Sequence, residues 1–128
     1  MDQHKGSCRC GNVMIKASGQ PNRVGMCHCM DCRKYHGALF HASAIFPADA
    51  VVILGETNEY DGRYFCPRCG SPLFGRSDVE IEVNLGSFDA PDQFKPTYEL
   101  WTIRREKWLQ PIPNAKQYER DREDESEE

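Results

Sequence analysis

Val13, Ile15 and Ala17 alternate with Met14, Lys16 and Ser18, and this period of two predicts a strand within residues 6 to 18 that turns one face to a core. The turn Gly19-Gln20-Pro21-Asn22 follows, and Arg23 to Cys29 reads as a second short strand. Leu39 to Phe46 and Val51 to Leu54 are apolar, rich in β-branched and aromatic residues, and separated by Pro47-Ala48-Asp49, so both are predicted strands. Tyr60 to Phe65 is expected to lead into the Cys66-Cys69 knuckle, and Tyr98 to Ile103 is one more strand. Val79-Glu80-Ile81-Glu82-Val83 alternates cleanly and predicts a half-solvated strand. Helix is expected over Asp31 to His36, with Gly37 as its stop, and as a turn within 104 to 110 that places Trp108 on the core. Phe40, Phe46, Phe65, Phe74 and Trp101 are the candidate aromatic core.

These elements describe a mainly β single domain, and 128 residues suffice to bury roughly two-thirds of the unfolded surface. Residues 1 to 115 form the expected domain. From Lys116 onward there is one aromatic and no aliphatic residue, so 116 to 128 reads as an acidic tail, with fraying expected beyond Arg120. The tail holds seven acidic and three basic groups, leaving thirteen against thirteen in the body, so the net charge of −4 is a property of the tail. A balanced body lacks the basic patch that phosphate backbones require, and a nucleic-acid partner is not expected. No apolar run reaches the roughly 18 residues of a membrane span, and the start Met1-Asp2-Gln3-His4-Lys5 is unlike a signal peptide, so a cytoplasmic protein without a membrane partner is expected.

That compartment gives the seven cysteines their meaning, because reducing conditions keep thiols available for metal. Cys27-His28-Cys29-Met30-Asp31-Cys32 places three thiols in six residues, while Cys8-Arg9-Cys10 and Cys66-Pro67-Arg68-Cys69 are pairs. Four plus three suggests two Zn²⁺ ions: a closed structural site on Cys8, Cys10, Cys66 and Cys69, and an open one on Cys27, Cys29 and Cys32 whose fourth position takes water or substrate. A split set, with Cys8, Cys10, Cys27 and Cys29 on one ion, is geometrically possible, and an iron–sulfur cluster or two purely structural sites compete. In an extended segment Cys27 and Cys29 share a face and His28 points the other way, so His28 stays outside the ligand set. Arg33 and Lys34 follow the triplet, where positive charge lowers thiolate pKa and can receive a substrate carboxylate. Asp31 is expected to cap the short helix.

Gly6-Ser7-Cys8-Arg9-Cys10-Gly11, then Cys27 through Lys34 with Gly37, then Phe65-Cys66-Pro67-Arg68-Cys69-Gly70-Ser71-Pro72-Leu73 resemble the glutathione-dependent formaldehyde-activating enzyme family, also called the centromere-protein-V/GFA domain. All seven cysteines match in order and spacing, over roughly residues 5 to 110. The resemblance implies a β-tent fold of small coiled antiparallel sheets, with Cys8, Cys10, Cys66 and Cys69 as structural zinc ligands and Cys27, Cys29 and Cys32 as catalytic ones. It also implies a carbon–sulfur lyase-type activity on an adduct such as S-(hydroxymethyl)glutathione, with glutathione or a similar thiol as partner. Glu99-Leu100-Trp101 stands where many relatives read His-Ile-Trp, and an acid facing the site would disfavour an anionic substrate. A thiol carrier without turnover and a zinc-stabilised protein-interaction module are the alternative functions.

Overall fold

The computed structural model describes residues 1–122. Among the described residues, eleven strands form two sheets, and there is one α-helix. The smaller sheet joins β1 (Gln3–Ser7), β2 (Met14–Ser18) and β5 (Val51–Leu54), all antiparallel, with β2 central. The alternation read in the sequence is real: Val13, Ile15 and Ala17 are fully buried. It does not run back to residue 6, because Cys8 to Val13 forms a knuckle between β1 and β2 in which the Gly11 amide donates to the Cys8 carbonyl.

The larger sheet adds β3 (Arg23–Cys27), β4 (His41–Pro47), β6 (Asn58–Tyr60), β7 (Arg63–Phe65), β8 (Pro72–Arg76), β9 (Glu80–Asn84), β10 (Tyr98–Leu100) and β11 (Lys116–Gln117). Their spatial order is β11-β10-β3-β4-β9-β8-β7-β6. Pairing is antiparallel except around β10, which lies parallel to both β3 and β11. Gly25 makes that close approach possible, since a Cβ there would enter the Tyr98 ring opposite it. Ile15 and Val51 of the small sheet pack with Phe46, Leu73, Ile81 and Val83 of the large one, so the core lies between the two.

Several expectations need correcting. The run Tyr60 to Phe65 is a hairpin, turned by Asp61 and Gly62, both at positive φ. Trp101 also adopts a left-handed φ of 55°, which ends β10 and starts a 3₁₀ turn at Thr102–Arg104. The helical turn thus lies at Thr102–Arg104, meeting the expected span only at Arg104, and Trp108 is 67% exposed and forms no part of the core. Phe46 and Phe74 are buried as expected, whereas Phe40, Phe65 and Trp101 are half-buried. Lys116 and Gln117 add a strand to the sheet, and Tyr118, the lone aromatic of that segment, is buried. Asp121 accepts a hydrogen bond from Trp101 Nε1 at 2.9 Å; the fraying expected beyond Arg120 otherwise falls on residues 123 to 128, outside the described residues.

Candidate functional site

The cysteines gather in two groups, each with its sulfurs within 4.8 Å of one another: Cys8, Cys10, Cys66 and Cys69 in one, Cys27, Cys29 and Cys32 in the other. Placement thus keeps the triplet together and sets Cys8 and Cys10 beside Cys66 and Cys69, apart from Cys27 and Cys29. In the first group, the β1–β2 knuckle meets the β7–β8 knuckle. The Val13 amide donates to Cys8 Sγ at 3.2 Å, and the Arg68 and Cys69 amides donate to Cys66 Sγ at 3.3 and 3.5 Å. Amides aimed at sulfur favour thiolate over thiol. The hydroxyl and amide of Ser71 hold Cys69 down to about 5. Sulfur–sulfur distances are 3.6 Å for Cys8–Cys10 and 3.7 Å for Cys10–Cys66. Four thiolates set tetrahedrally at 2.3 Å from Zn²⁺ stand about 3.8 Å apart, so the donor set and its spacing fit that ion.

The triplet is assembled where β3 ends and the helix α1 (Met30–His36) begins. Cys27 closes the strand, Cys29 is the helix N-cap with its Sγ accepting the Cys32 amide at 3.4 Å, and Cys32 sits in the first turn. The cap is thus a cysteine of the triplet, and Asp31 is an exposed first-turn residue. Gly37 stops the helix at φ 60°, as the sequence suggested. All three thiols are half-buried. Hydrogen bonding with Cys32 and then burial push the Cys27 thiol up, whereas hydrogen bonding from Cys27 brings Cys32 down to about 6. Three converging sulfurs, with no fourth donor grouped with them among the described residues, fit an ion with an open position.

His28 turns away from the sulfurs into the interior, as strand geometry requires. Its Nε2 pairs with Glu99 Oε1 at 2.7 Å, both side chains being buried, and its amide donates to the Leu100 carbonyl at 3.0 Å. Burial works to raise the Glu99 carboxyl, but the Ile112 amide, His28 and Gln117 bring it below the usual range. Glu99 belongs to the support beneath the triplet and does not line the cavity beside Cys32.

That cavity, of about 350 Å³, has Cys32 in its wall together with Arg63, Glu82, Tyr35, His36 and His41. The two imidazoles stack at 4.2 Å and 7°. Burial depresses both, His41 to about 3, so they are neutral at physiological pH. The Tyr35 hydroxyl is buried with no partner among the described residues. Arg33 and Lys34 lie elsewhere. Arg33 donates to the Arg104 carbonyl at 2.9 Å and to Glu106 at 2.6 Å, tying α1 to the 3₁₀ turn, and Lys34 is exposed. The sequence reading missed Arg63, Tyr35 and Glu82. The clue was the polar face of 79 to 83, read as solvated: Glu82 on that face stands in the cavity wall.

Taken together, a mainly β fold and two sulfur clusters that could each hold a metal ion, one of them with Cys32 in the wall of a cavity, define a β-sheet protein with two candidate metal centres. The chain belongs to the glutathione-dependent formaldehyde-activating enzyme family, whose sequence profile matches residues 3–104. It is similar to an uncharacterized lyase of Schizosaccharomyces pombe, 28% identical over 83 residues, a match covering 58% of this chain and 58% of that protein. A crystal structure of a Rhodobacter sphaeroides protein, a structural-genomics target, shares the fold at a TM-score of 0.54 with 19% identity, covering 70% of this chain and 91% of that one. Among the described residues no helix is long and apolar enough to cross a membrane.

Proposed function

We propose that this chain is a zinc-dependent carbon–sulfur lyase-type enzyme acting on a thiol adduct, with S-(hydroxymethyl)glutathione as the substrate that the family description suggests. The observation that carries the reading is the position of Cys32, at once one of three converging sulfurs and part of the cavity wall. Cys8, Cys10, Cys66 and Cys69 would hold a structural ion, and Cys27, Cys29 and Cys32 a second one. That second zinc, when bound, supplies a Lewis-acidic position for a substrate sulfur or carbonyl oxygen.

The chain's own residues do the rest. The cavity walls hold thiol and aldehyde in one place, replacing a bimolecular encounter by a positioned pair. In the synthetic direction a bond forms between the thiol sulfur and the aldehyde carbon, and the thiol proton ends on the former carbonyl oxygen; the lyase direction reverses both changes. His36, stacked on His41 in the wall, stands within the cavity as an acceptor for a proton in transit. The test is exchange spectroscopy on glutathione and ¹³C-formaldehyde with metal-loaded protein. Exchange should be faster than in buffer, and Cys32→Ser should abolish the acceleration while remaining folded. Thiol binding without acceleration would identify a carrier instead.

A further inference from the structure

One rung of the large sheet carries opposite charges on either side of a gap. Register sets Arg63 opposite Gly75 and Gly75 opposite Glu82, and continues through Ile45 to Arg23. Residues directly opposite in adjacent strands share a face, and all five stand in the wall of the cavity onto which Cys32 opens. Arg23 is engaged by Glu80 through two hydrogen bonds of 2.9 Å. Arg63 is far less committed: its guanidinium lies 5.6 Å from the Tyr35 ring centroid, and its ion pair, to the exposed Asp61, is 3.4 Å long.

Glu82 accepts no hydrogen bond from the described residues. Burial pushes its carboxyl above the usual range, against the pull of Arg23 and Arg63. Gly75 lies between Arg63 and Glu82 and offers no side chain; even a Cβ there would stand 3.5 Å from Glu82 Oε1. With neighbouring strands about 4.8 Å apart, the backbones of Arg63 and Glu82 are separated by roughly 10 Å. A desolvated carboxylate lacking a donor favours a cation, and a guanidinium with a largely free fork favours a carboxylate.

We propose that this cavity receives a thiol carrying an α-amino-acid head, with the carboxylate of the head on Arg63 and its ammonium on Glu82. The assignment rests on the thiol reading above and deepens it: two charges on one substrate carbon fit two charges across one open floor. Arg63 and Glu82 are then specificity residues, and the sulfur is left to reach Cys32. Two kinds of thiol carry such a head. In cysteine it adjoins the sulfur, and in glutathione it lies at γ-glutamyl distance.

Calorimetry on the metal-loaded full chain separates these cases. One series compares cysteine with cysteamine, which lacks the carboxylate, and with N-acetylcysteine, which lacks the ammonium. The other compares glutathione with its glutaryl analogue, which lacks only the ammonium. In at least one series the zwitterionic thiol should bind about tenfold tighter than its truncated partners, and the advantage should fall below about threefold in Glu82→Gln and in Arg63→Met, with melting curves confirming the fold. The discriminating series locates the head. Affinities within about threefold throughout both series, or an advantage that survives both substitutions, overturn the proposal and leave the thiol reading standing. No binding of any thiol to fully loaded protein overturns both. The comparison of ligands on the intact chain decides even if a variant misfolds.

Discussion

Glu99 Oε1 lies 2.7 Å from His28 Nε2 in the protein interior, so the residue between Cys27 and Cys29 is anchored on the strand that runs parallel to its own. The same carboxylate accepts from the Ile112 amide at 2.7 Å and from Gln117 Nε2 at 3.1 Å. Glu99→Ala leaves the buried His28 Nε2 and the half-buried Ile112 amide without that acceptor and should cost about 3 kcal/mol, read by urea unfolding. Glu99→Gln keeps one oxygen and should cost less.

Acid should weaken the fold through Glu80. Hydrogen bonds from Arg23 hold its carboxyl below the ordinary value of 4.5. A group with a depressed folded-state pKa stabilises fully above its unfolded value and loses that contribution as pH falls through the folded one. Stability should therefore decline below about pH 4.5, and Glu80→Gln should flatten that part of the profile while lowering stability at neutral pH. Both follow from melting temperatures across pH 3 to 7, compared between the two proteins.

The two sulfur clusters should respond differently to loss of a ligand. Cys66→Ser opens the four-sulfur group that fastens the small sheet to the large one and should cost about 3 kcal/mol or more, whereas Cys32→Ser should remain folded with one ion fewer by elemental analysis. Equal losses of melting temperature would contradict the division into structural and reactive sites. Strong chelators should reproduce the Cys66→Ser effect in the native chain.

Truncation after Gln117 removes the buried Tyr118 ring, whose amide also donates to the Glu99 carbonyl, and should lower stability by about 2 kcal/mol. Asp121→Ala, which removes only the acceptor of the exposed hydrogen bond from Trp101, should cost under about 1 kcal/mol. Thermal denaturation of the two variants side by side gives the comparison.

The sequence made the ligand clusters and most strands legible because both signals are local: spacing within six residues for the triplet, alternation within five for β2 and β9. What stayed hidden depends on long-range register. Nothing near Arg63 announces that Gly75 and Glu82 will flank it across two strand pairings, and nothing near Arg33 announces the Glu106 carboxylate that takes its guanidinium. Charge adjacent to the triplet in sequence drew attention to Arg33 and Lys34, whereas the cavity takes its charge from other strands. Lys116 to Tyr118 was hard to read for a similar reason, since the strand β10 that pairs with it and the Tyr98 ring that meets Tyr118 lie some twenty residues earlier.

The parallel pairing of β3 with β10 also sets an order of events during synthesis. His28 finds Glu99 and Leu100 only 71 residues later, so at typical translation rates the triplet exists for on the order of several seconds before its support emerges from the ribosome. During that interval the nascent chain presents three thiols in six residues without the buried His28–Glu99 pair that underlies them in the folded protein.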